Sequence, residues 1–264
     1  MGNTFTVLML GDVCGQPGMR ALFMGLNQLI KEYRADFVVV NGENAANGFG
    51  LNESEKNQIF SLGANVITSG NHIWQQEEIY DSLNNDNRLL RPLNYPNGTI
   101  GHGSTIIESN GVKVGVINLQ GRVSLPQIDC PFRAADDELR KMQGKCDVIL
   151  IDIHAENHEE KKALAIYLDG KVSAVVGTHT HVQTADEMIL ENGTAFITDL
   201  GLCGPSDSVI GSDPEISIKK QLTQMPIKTQ IHTTAPVING VVIEIDKKTS
   251  KAKSINRINK QLLV

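Results

Sequence analysis

The chain has 264 residues, a formal net charge of −6, 41% hydrophobic residues and 20% charged residues. This composition is ordinary for a folded globular protein and excludes disordered and fibrous chains. The acidic balance gives no basic footprint for duplex nucleic acid, although bound metal ions would let a site accept a small anion.

Seven short runs rich in Val and Ile predict buried β-strands. Helical stretches lie between several of them, over residues 18–34 and 156–168. Because strands and helices alternate, we predict an α/β layer fold with a largely parallel sheet in its first part. The predicted strands span residues 4–10, 37–40, 66–68, 112–119, 148–153, 174–176 and 194–197.

Two helix starts carry capping signals, Asn52 with Glu55 and Asn157 with Glu160. The Asn side chain and a carboxylate three residues later can satisfy free backbone N–H groups. From about residue 235 apolar residues alternate with others, and a polar turn at 246–250 follows, which predicts a terminal antiparallel hairpin and hence a mixed sheet. No repeat or flexible linker divides the chain, so we expect a single domain over residues 1–264.

The N-terminal segment predicts a first strand rather than a signal peptide, because no basic segment precedes its apolar run and no cleavage site follows it. No apolar run reaches the roughly 20 residues that a bilayer span needs. We therefore expect a cytoplasmic protein without a membrane partner. The cysteines form no C-x-x-C pair and are predicted to be reduced and mostly packed. They are Cys14, Cys130, Cys146 and Cys203.

Five of the predicted strands end in residues that can bind a metal ion. The carboxyl ends of parallel strands form the edge of a sheet where ligands bind, so these side chains can converge. Singly, several have ordinary explanations: a tight turn at Asp12, an Asn-rich and Gly-rich loop at 41–50, and a core histidine at His154. His179 and His181 are more informative, because residues i and i+2 of an extended segment face the same side. The candidates are Asp12, Glu43, Asn44, Asn71, His72, His154, His179 and His181.

The chemistry of these donors indicates two metal ions. Carboxylates, amide oxygens and imidazoles without a thiolate suit Fe, Mn, Zn or Co. The set is too large for one tetrahedral ion, whereas two divalent ions bridged by a shared carboxylate occur in hydrolases of phosphate esters. A phosphate cradle of backbone N–H groups in GDVCGQPG is an alternative, but Asp12 would repel phosphate there unless a cation lay between them. Two carboxylates and two divalent ions leave a positive site that matches a phosphodiester anion and a hydroxide.

The order of these motifs resembles the calcineurin-like metallophosphoesterases, and specifically the bacterial YmdB family. The wider pattern is D-x-H, GD, GNH, H and GHxH; this chain has Cys14 for the first His, Glu43 for the Asp of GD, and Gly177 before THTH. These departures are similar to the YmdB family. ENHEEKKA at 156–163 departs from that family, which tends to have Thr-Ser before Glu-Lys. The longer matches are NGENAANGFG, RPLNYP, YLDGKVSAVVGTHTHVQTAD and ITDLGLCGP.

The resemblance covers nearly the whole chain and implies a calcineurin-like sandwich of mixed β-sheets flanked by helices. It also implies hydrolysis of 2′,3′-cyclic nucleotides to 3′-nucleotides by a metal-activated hydroxide, with His72 donating a proton to the departing 2′ oxygen. Two divalent ions are expected, iron first and Mn or Zn as alternatives, together with homo-oligomers. The implied ligands of the first ion are Asp12, Glu43, Asn44 and His181, and those of the second are Glu43, Asn71, His154 and His179.

Other functions stay open at this point. The chain could be a metal-binding regulatory or interaction module whose role does not depend on turnover, or a phosphoesterase with a different substrate preference. An amidohydrolase also uses H-x-H with two metals, but there the motif follows the first strand of a barrel, whereas here it comes late. No residue marks a base-specific pocket. Arg91 and Arg122 could contact phosphate or ribose, although solvated arginines are the more common explanation.

Overall fold

The computed structural model describes residues 3–262, and in it the strands form two mixed β-sheets. The first sheet contains β1 (Thr4–Leu10), β2 (Asp12–Val13), β3 (Phe37–Asn41), β4 (Val66–Thr68), β11 (Leu202–Pro205), β12 (Pro236–Asp246) and β13 (Ala252–Gln261). The strand order is β2-β11-β12-β1-β3-β4, and β13 also pairs with β12. β1, β3 and β4 are parallel, whereas β12 runs antiparallel to β1, β11 and β13.

The second sheet contains β5 (Ser104–Ser109), β6 (Val112–Gln120), β7 (Val148–His154), β8 (Ala174–Thr178), β9 (Met188–Ile189) and β10 (Ala195–Ile197). The strand order is β5-β6-β7-β8-β10-β9. The four central strands are parallel, and β5 and β9 are antiparallel edge strands. Two parallel arrays, one in each sheet, therefore present their carboxyl ends as ligand-binding edges.

Helices cover the outer faces of both sheets, while the inner faces pack against each other. Along β1, Val7 and Met9 pack in the core between the sheets, whereas Leu8 and Leu10 pack against α1. Both faces of the strand are buried, so its sequence is a continuous apolar run rather than an alternating one. The helices are α1 (Gly15–Tyr33), α2 (Glu53–Ser61), α3 (Tyr80–Asn85), α4 (Pro131–Met142), α5 (His158–Tyr167) and α6 (Pro214–Thr223).

The predicted strands and the terminal hairpin are confirmed. Of the predicted helix caps, the role of the Asn side chains is confirmed, but that of the Glu160 carboxylate is wrong. Asn52 and Asn157 each accept a hydrogen bond from the backbone N–H three residues later. The carboxylate of Glu160 does not return to Asn157, however. It accepts from the backbone N–H of Arg122 and joins α5 to the loop that follows β6.

The cysteines agree with the prediction made from their spacing. All four cysteines are free, and Cys14 and Cys203 are buried. Among residues 3–262, no helix is both long and apolar enough to cross a bilayer.

Candidate metal centre

The carboxyl ends of strands from both sheets meet at one edge of the sandwich and bring the predicted ligands together. Glu43 Oε1 lies 3.0 Å from His154 Nε2, and His154 Nε2 lies 3.0 Å from His179 Nδ1. Beside this group, His181 Nε2 lies 3.1 Å from Asn44 Nδ2 and 3.8 Å from Asp12 Oδ1. Glu43, His154 and His179 thus form a group that could hold a metal ion, and Asp12, Asn44 and His181 lie beside it.

Buried oxygens at the centre lack hydrogen-bond partners within residues 3–262. They are Asp12 Oδ1, both carboxylate oxygens of Glu43, and Asn71 Oδ1. Leaving such atoms unpaired costs about 1–3 kcal/mol each, and more when they are charged. Burial raises the pKa of Asp12 and raises that of Glu43 to about 7. Divalent cations would pair with these oxygens and would offset the cost of burying charged carboxylates. This donor set therefore fits the expected metal ions.

Each of the three histidines in the centre has one ring nitrogen engaged by an acceptor outside the cluster. His154 Nδ1 lies 2.9 Å from Thr178 Oγ1, and that hydroxyl donates to Asp152 Oδ1 over 2.7 Å. Thr178 therefore accepts from Nδ1–H of His154 and leaves Nε2 with its lone pair toward Glu43. Such outer partners fix the tautomer and the orientation of a ligating imidazole.

His179 and His181 are oriented in the same way. His179 Nε2 lies 3.0 Å from Glu156 Oε2, and His181 Nδ1 donates to the carbonyl of Ile210 over 2.8 Å. The opposite nitrogen of each ring faces the cluster. Burial lowers the pKa of His154 to about 4 and that of His179 to about 3, so both rings are neutral near pH 7 and have lone pairs for a cation.

These outer partners do not stand out in the sequence. Thr178 is the first residue of the THTH motif, and Glu156 lies two residues after His154. Both are therefore close in sequence to predicted metal ligands. Ile210 contributes only its carbonyl oxygen, for which a sequence carries no side-chain signal. The structure also shows why residue 70 is a glycine. A Cβ there would lie 2.0 Å from Glu43 Oε2 and 2.1 Å from His154 Cδ2, so only glycine leaves room for these two side chains.

The segment that carries His179 and His181 is not extended, and the prediction that these residues face one side of a strand is wrong. β8 ends at Thr178, and the two histidines have φ values of 105° and 65°. The turn is held by hydrogen bonds from His179 N to Asp12 and from Thr180 N to Asp199. Both rings reach the centre because of these left-handed residues, and not because of strand alternation.

His72 lies at the exposed side of the centre. Its Nδ1 is 2.8 Å from Asn44 Oδ1 and 3.2 Å from Glu43 Oε1. The ring contacts Phe49 edge-on, with 5.1 Å between the ring centroids. Burial lowers the pKa of His72, which the carboxylate of Glu43 partly offsets. Asn44 therefore turns its oxygen toward His72 and its nitrogen toward His181.

Neither arginine considered above reaches the centre. Arg91 is buried, and its guanidinium donates to the carbonyls of Pro92 and Leu93, so it is neither a solvated arginine nor a substrate contact. Arg122 is half-buried. A cavity of about 390 Å³ opens beside the metal centre, and no described Lys or Arg lines it. An anion in this cavity would be held by the centre itself.

Two mixed β-sheets packed between helices, with a cluster of Asp, Glu, Asn and His at the carboxyl ends of their strands, define a metallophosphoesterase. The chain belongs to the YmdB-like family, because the family model described as "YmdB-like protein" matches residues 8–258. The predicted fold class and the predicted family are therefore confirmed.

Relatives of known sequence or structure agree with this assignment. The chain is 46% identical to a 2′,3′-cyclic-nucleotide 2′-phosphodiesterase of Bacillus subtilis (strain 168), over 96% of each chain. A crystal structure described as a novel phosphatase from Mycoplasma pneumoniae has a TM-score of 0.93 and 36% identity, covering 99% of this chain and 95% of its own. A hypothetical protein from Thermus thermophilus has a TM-score of 0.90 and 36% identity, covering 97% of this chain and 99% of its own.

Proposed function

We propose that this chain hydrolyses 2′,3′-cyclic nucleotides to 3′-nucleotides at a centre of two divalent cations. The observation that carries the proposal is the group of unpaired buried oxygens next to imidazole nitrogens whose other ring atoms are already engaged. The Bacillus relative named for this activity supports the choice of substrate. A metallophosphoesterase with a different substrate preference is the alternative.

The proposed ligand sets are the ones that the resemblance to the family implies. Asp12, Asn44 and His181 would hold one cation, and Asn71, His154 and His179 the other, with Glu43 shared. Bound cations would neutralise the phosphodiester and lower the pKa of a water molecule, so that hydroxide forms near neutral pH. Oxygen and nitrogen donors without a thiolate suit iron, which we propose first, and also Mn or Zn.

His72 is the proposed proton donor to the departing 2′ oxygen. Its Nδ1 donates to Asn44 Oδ1 over 2.8 Å, so Nε2 is the atom available to a substrate, and it carries a proton only in the imidazolium form that the carboxylate of Glu43 favours. The side chain is 28% exposed, whereas Glu43 beside it is fully buried. This position at the cavity suits a group that must meet the substrate and then exchange protons with solvent.

The experiment compares His72→Ala with Asp12→Ala. We expect His72→Ala to retain metal and to lose most turnover of 2′,3′-cyclic AMP, about 100-fold or more, because only the proton donor is removed. Asp12→Ala is expected to lose metal as well. Metal content is measured by elemental analysis, and the product is identified as 3′-AMP by chromatography.

Two outcomes would contradict this proposal. Full activity in His72→Ala would exclude it as the acid. If the metal-loaded protein hydrolysed neither 2′,3′-cyclic AMP nor bis-p-nitrophenyl phosphate, the chain would instead be a metal-binding module whose role does not depend on turnover.

We also propose that the chain forms homo-oligomers. α6 buries none of its residues, and Ile218 and Leu222 on it are 57% and 80% exposed. A second copy of the chain that covered this helix would remove apolar surface from water. The single domain over residues 1–264 and the cytoplasmic location stay predictions.

A further inference from the structure

Phe49 is a large apolar side chain left open to solvent at the mouth of a polar metal centre. It is 44% exposed and lines the same cavity as Glu43, His72 and His181. The metal chemistry proposed above gives it no role. An exposed aromatic ring at a site that binds small molecules suggests a contact with part of a ligand.

The backbone that carries Phe49 is fixed by its neighbours. Gly48 and Gly50 on either side have φ values of 90° and 79°, which favour glycine. The N–H of Phe49 donates to Ala46 O over 3.0 Å, and its carbonyl accepts from Gln76 Nε2 over 2.9 Å. A fixed aromatic side chain loses little conformational entropy when a ligand contacts it.

The cavity offers few other ways to bind the organic part of a nucleotide. No described Lys or Arg lines it, and its outer wall includes Ile210, Ile231 and Thr229. Apolar contact and stacking are therefore one source of affinity for a base. Phe49 is the only aromatic residue, apart from the histidines, among the described residues that line this cavity.

We propose that Phe49 stacks against the base of the cyclic nucleotide and so forms a base subsite; this inference rests on the function proposed above. The base is attached to the ribose carbon next to the one that carries the departing 2′ oxygen. A side chain in contact with His72, the group that protonates this oxygen, therefore lies beside the base. The Phe49 and His72 rings are in contact, with 5.1 Å between their centroids.

Stacking reads the flat face of a base rather than its hydrogen-bonding edge. Every base has such a face, so this subsite accepts purines and pyrimidines alike, and replacement of a stacking side chain by alanine typically weakens binding roughly 5-fold to 150-fold per base. We therefore expect the enzyme to distinguish a substrate that has a base from one that has none, and to discriminate weakly among the four bases.

The test compares two substrates, 2′,3′-cyclic AMP and the 2′,3′-cyclic phosphate of methyl riboside, which lacks a base. The wild-type ratio of their kcat/KM values should favour the nucleotide, and Phe49→Ala should reduce this ratio about 10-fold. Any effect of the substitution on His72 acts on both substrates and cancels in the ratio. Phe49→Tyr should restore the ratio. Phe23→Ala, which removes a ring that is 73% exposed on α1, should leave it unchanged.

A binding measurement separates this proposal from the proposed catalytic function. The metal-loaded protein is titrated with 3′-AMP and with ribose 3-phosphate, and Phe49→Ala should weaken only the binding of 3′-AMP, by about 10-fold. Selective weakening of 3′-AMP binding by Phe49→Ala, in a protein that does not turn over cyclic AMP, would support the subsite and contradict the phosphodiesterase. Equal effects of Phe49→Ala on both members of each pair would overturn the subsite and leave the phosphodiesterase standing.

Discussion

At the scale of single residues, the imidazole of His154 depends on a hydroxyl that the sequence analysis did not single out. Thr178 accepts from His154 Nδ1–H and donates to the buried carboxylate of Asp152. Asp152 also accepts from Asn41 and Thr68, which come from the other sheet. This fully buried network orients the lone pair of His154 toward the cations.

Thr178→Val therefore tests this orientation without changing the shape of the side chain much. Losing the hydroxyl leaves His154 Nδ1 without an acceptor, so we expect metal affinity to fall about 10-fold to 100-fold. Affinity is measured by competition with a chelator, and nitrogen NMR of the metal-free protein should report loss of the single His154 tautomer.

Two substitutions serve as controls for Thr178→Val. Thr178→Ser keeps the hydroxyl and should retain the affinity. Thr105→Val removes a buried hydroxyl that has no hydrogen-bond partner within residues 3–262 and should leave metal binding unchanged. Unaltered affinity in Thr178→Val would show that Thr178 does not orient His154.

At the scale of elements, the turn after β8 depends on a buried ion pair with α5. Lys161 Nζ on α5 lies 2.7 Å from Asp199 Oδ2, and both side chains are fully buried. The same oxygen of Asp199 accepts from Thr180 N, between His179 and His181. The helix that precedes β8 thus fixes, through Asp199, the backbone that carries two of the proposed ligands.

Lys161→Met should disturb this turn as well as the fold. Removing one partner of a buried ion pair typically costs about 3–5 kcal/mol, because the other charge is left uncompensated. We expect a lower free energy of unfolding in denaturant titrations and weaker metal binding. The double variant Lys161→Met/Asp199→Asn should recover part of both, since Asn can still accept from Thr180 N.

A surface pair gives the matched control for Lys161→Met. Lys171 is 48% exposed and lies 3.5 Å from Asp136. Lys171→Met should change stability by no more than about 1 kcal/mol and leave metal binding unchanged. Equal losses in Lys161→Met and Lys171→Met would contradict a special role for the buried pair.

The strands could be predicted from the sequence, whereas the conformation of the turn after β8 could not. Runs such as 37–40 and 148–153 predict strands because both of their faces are buried, and the carboxyl-end rule then brings the candidate ligands together. The conformation of His179 and His181 could not be predicted in this way, since it depends on Asp12 and Asp199, which are distant in sequence. Local sequence patterns indicate the periodicity of strands and helices, but they do not indicate hydrogen bonds between segments that are distant in sequence.

At the scale of the whole molecule, the centre joins the two sheets through groups that repel one another when no cation is present. Asp12 and Glu43 extend from the first sheet, and His154 and His179 from the second. Because a ligand that binds only the folded state stabilises it, metal should raise the melting temperature of the whole chain; at 100 times Kd the gain is about 2.7 kcal/mol.

This metal-induced rise should be larger at about pH 8 than at about pH 6. Glu43 has an ordinary pKa of 4.5 and a folded pKa of about 7, raised by burial. In the metal-free protein the stability from its bound proton is full below pH 4.5 and is lost as pH rises through 7. Near pH 6 a cation must displace that proton, whereas near pH 8 it meets an uncompensated carboxylate.

The measurement is thermal unfolding of chelator-treated and manganese-loaded protein at both pH values. His154 and His179 stay neutral over this range, with pKa values of about 4 and about 3, so they add no pH dependence to the metal-induced rise. Glu55→Gln is the control: burial raises the pKa of Glu55 as well, but it lies on α2 and is not a proposed ligand, so the variant should keep the difference between the two pH values. A metal-induced rise of the same size at both values would mean that Glu43 does not bind the cations.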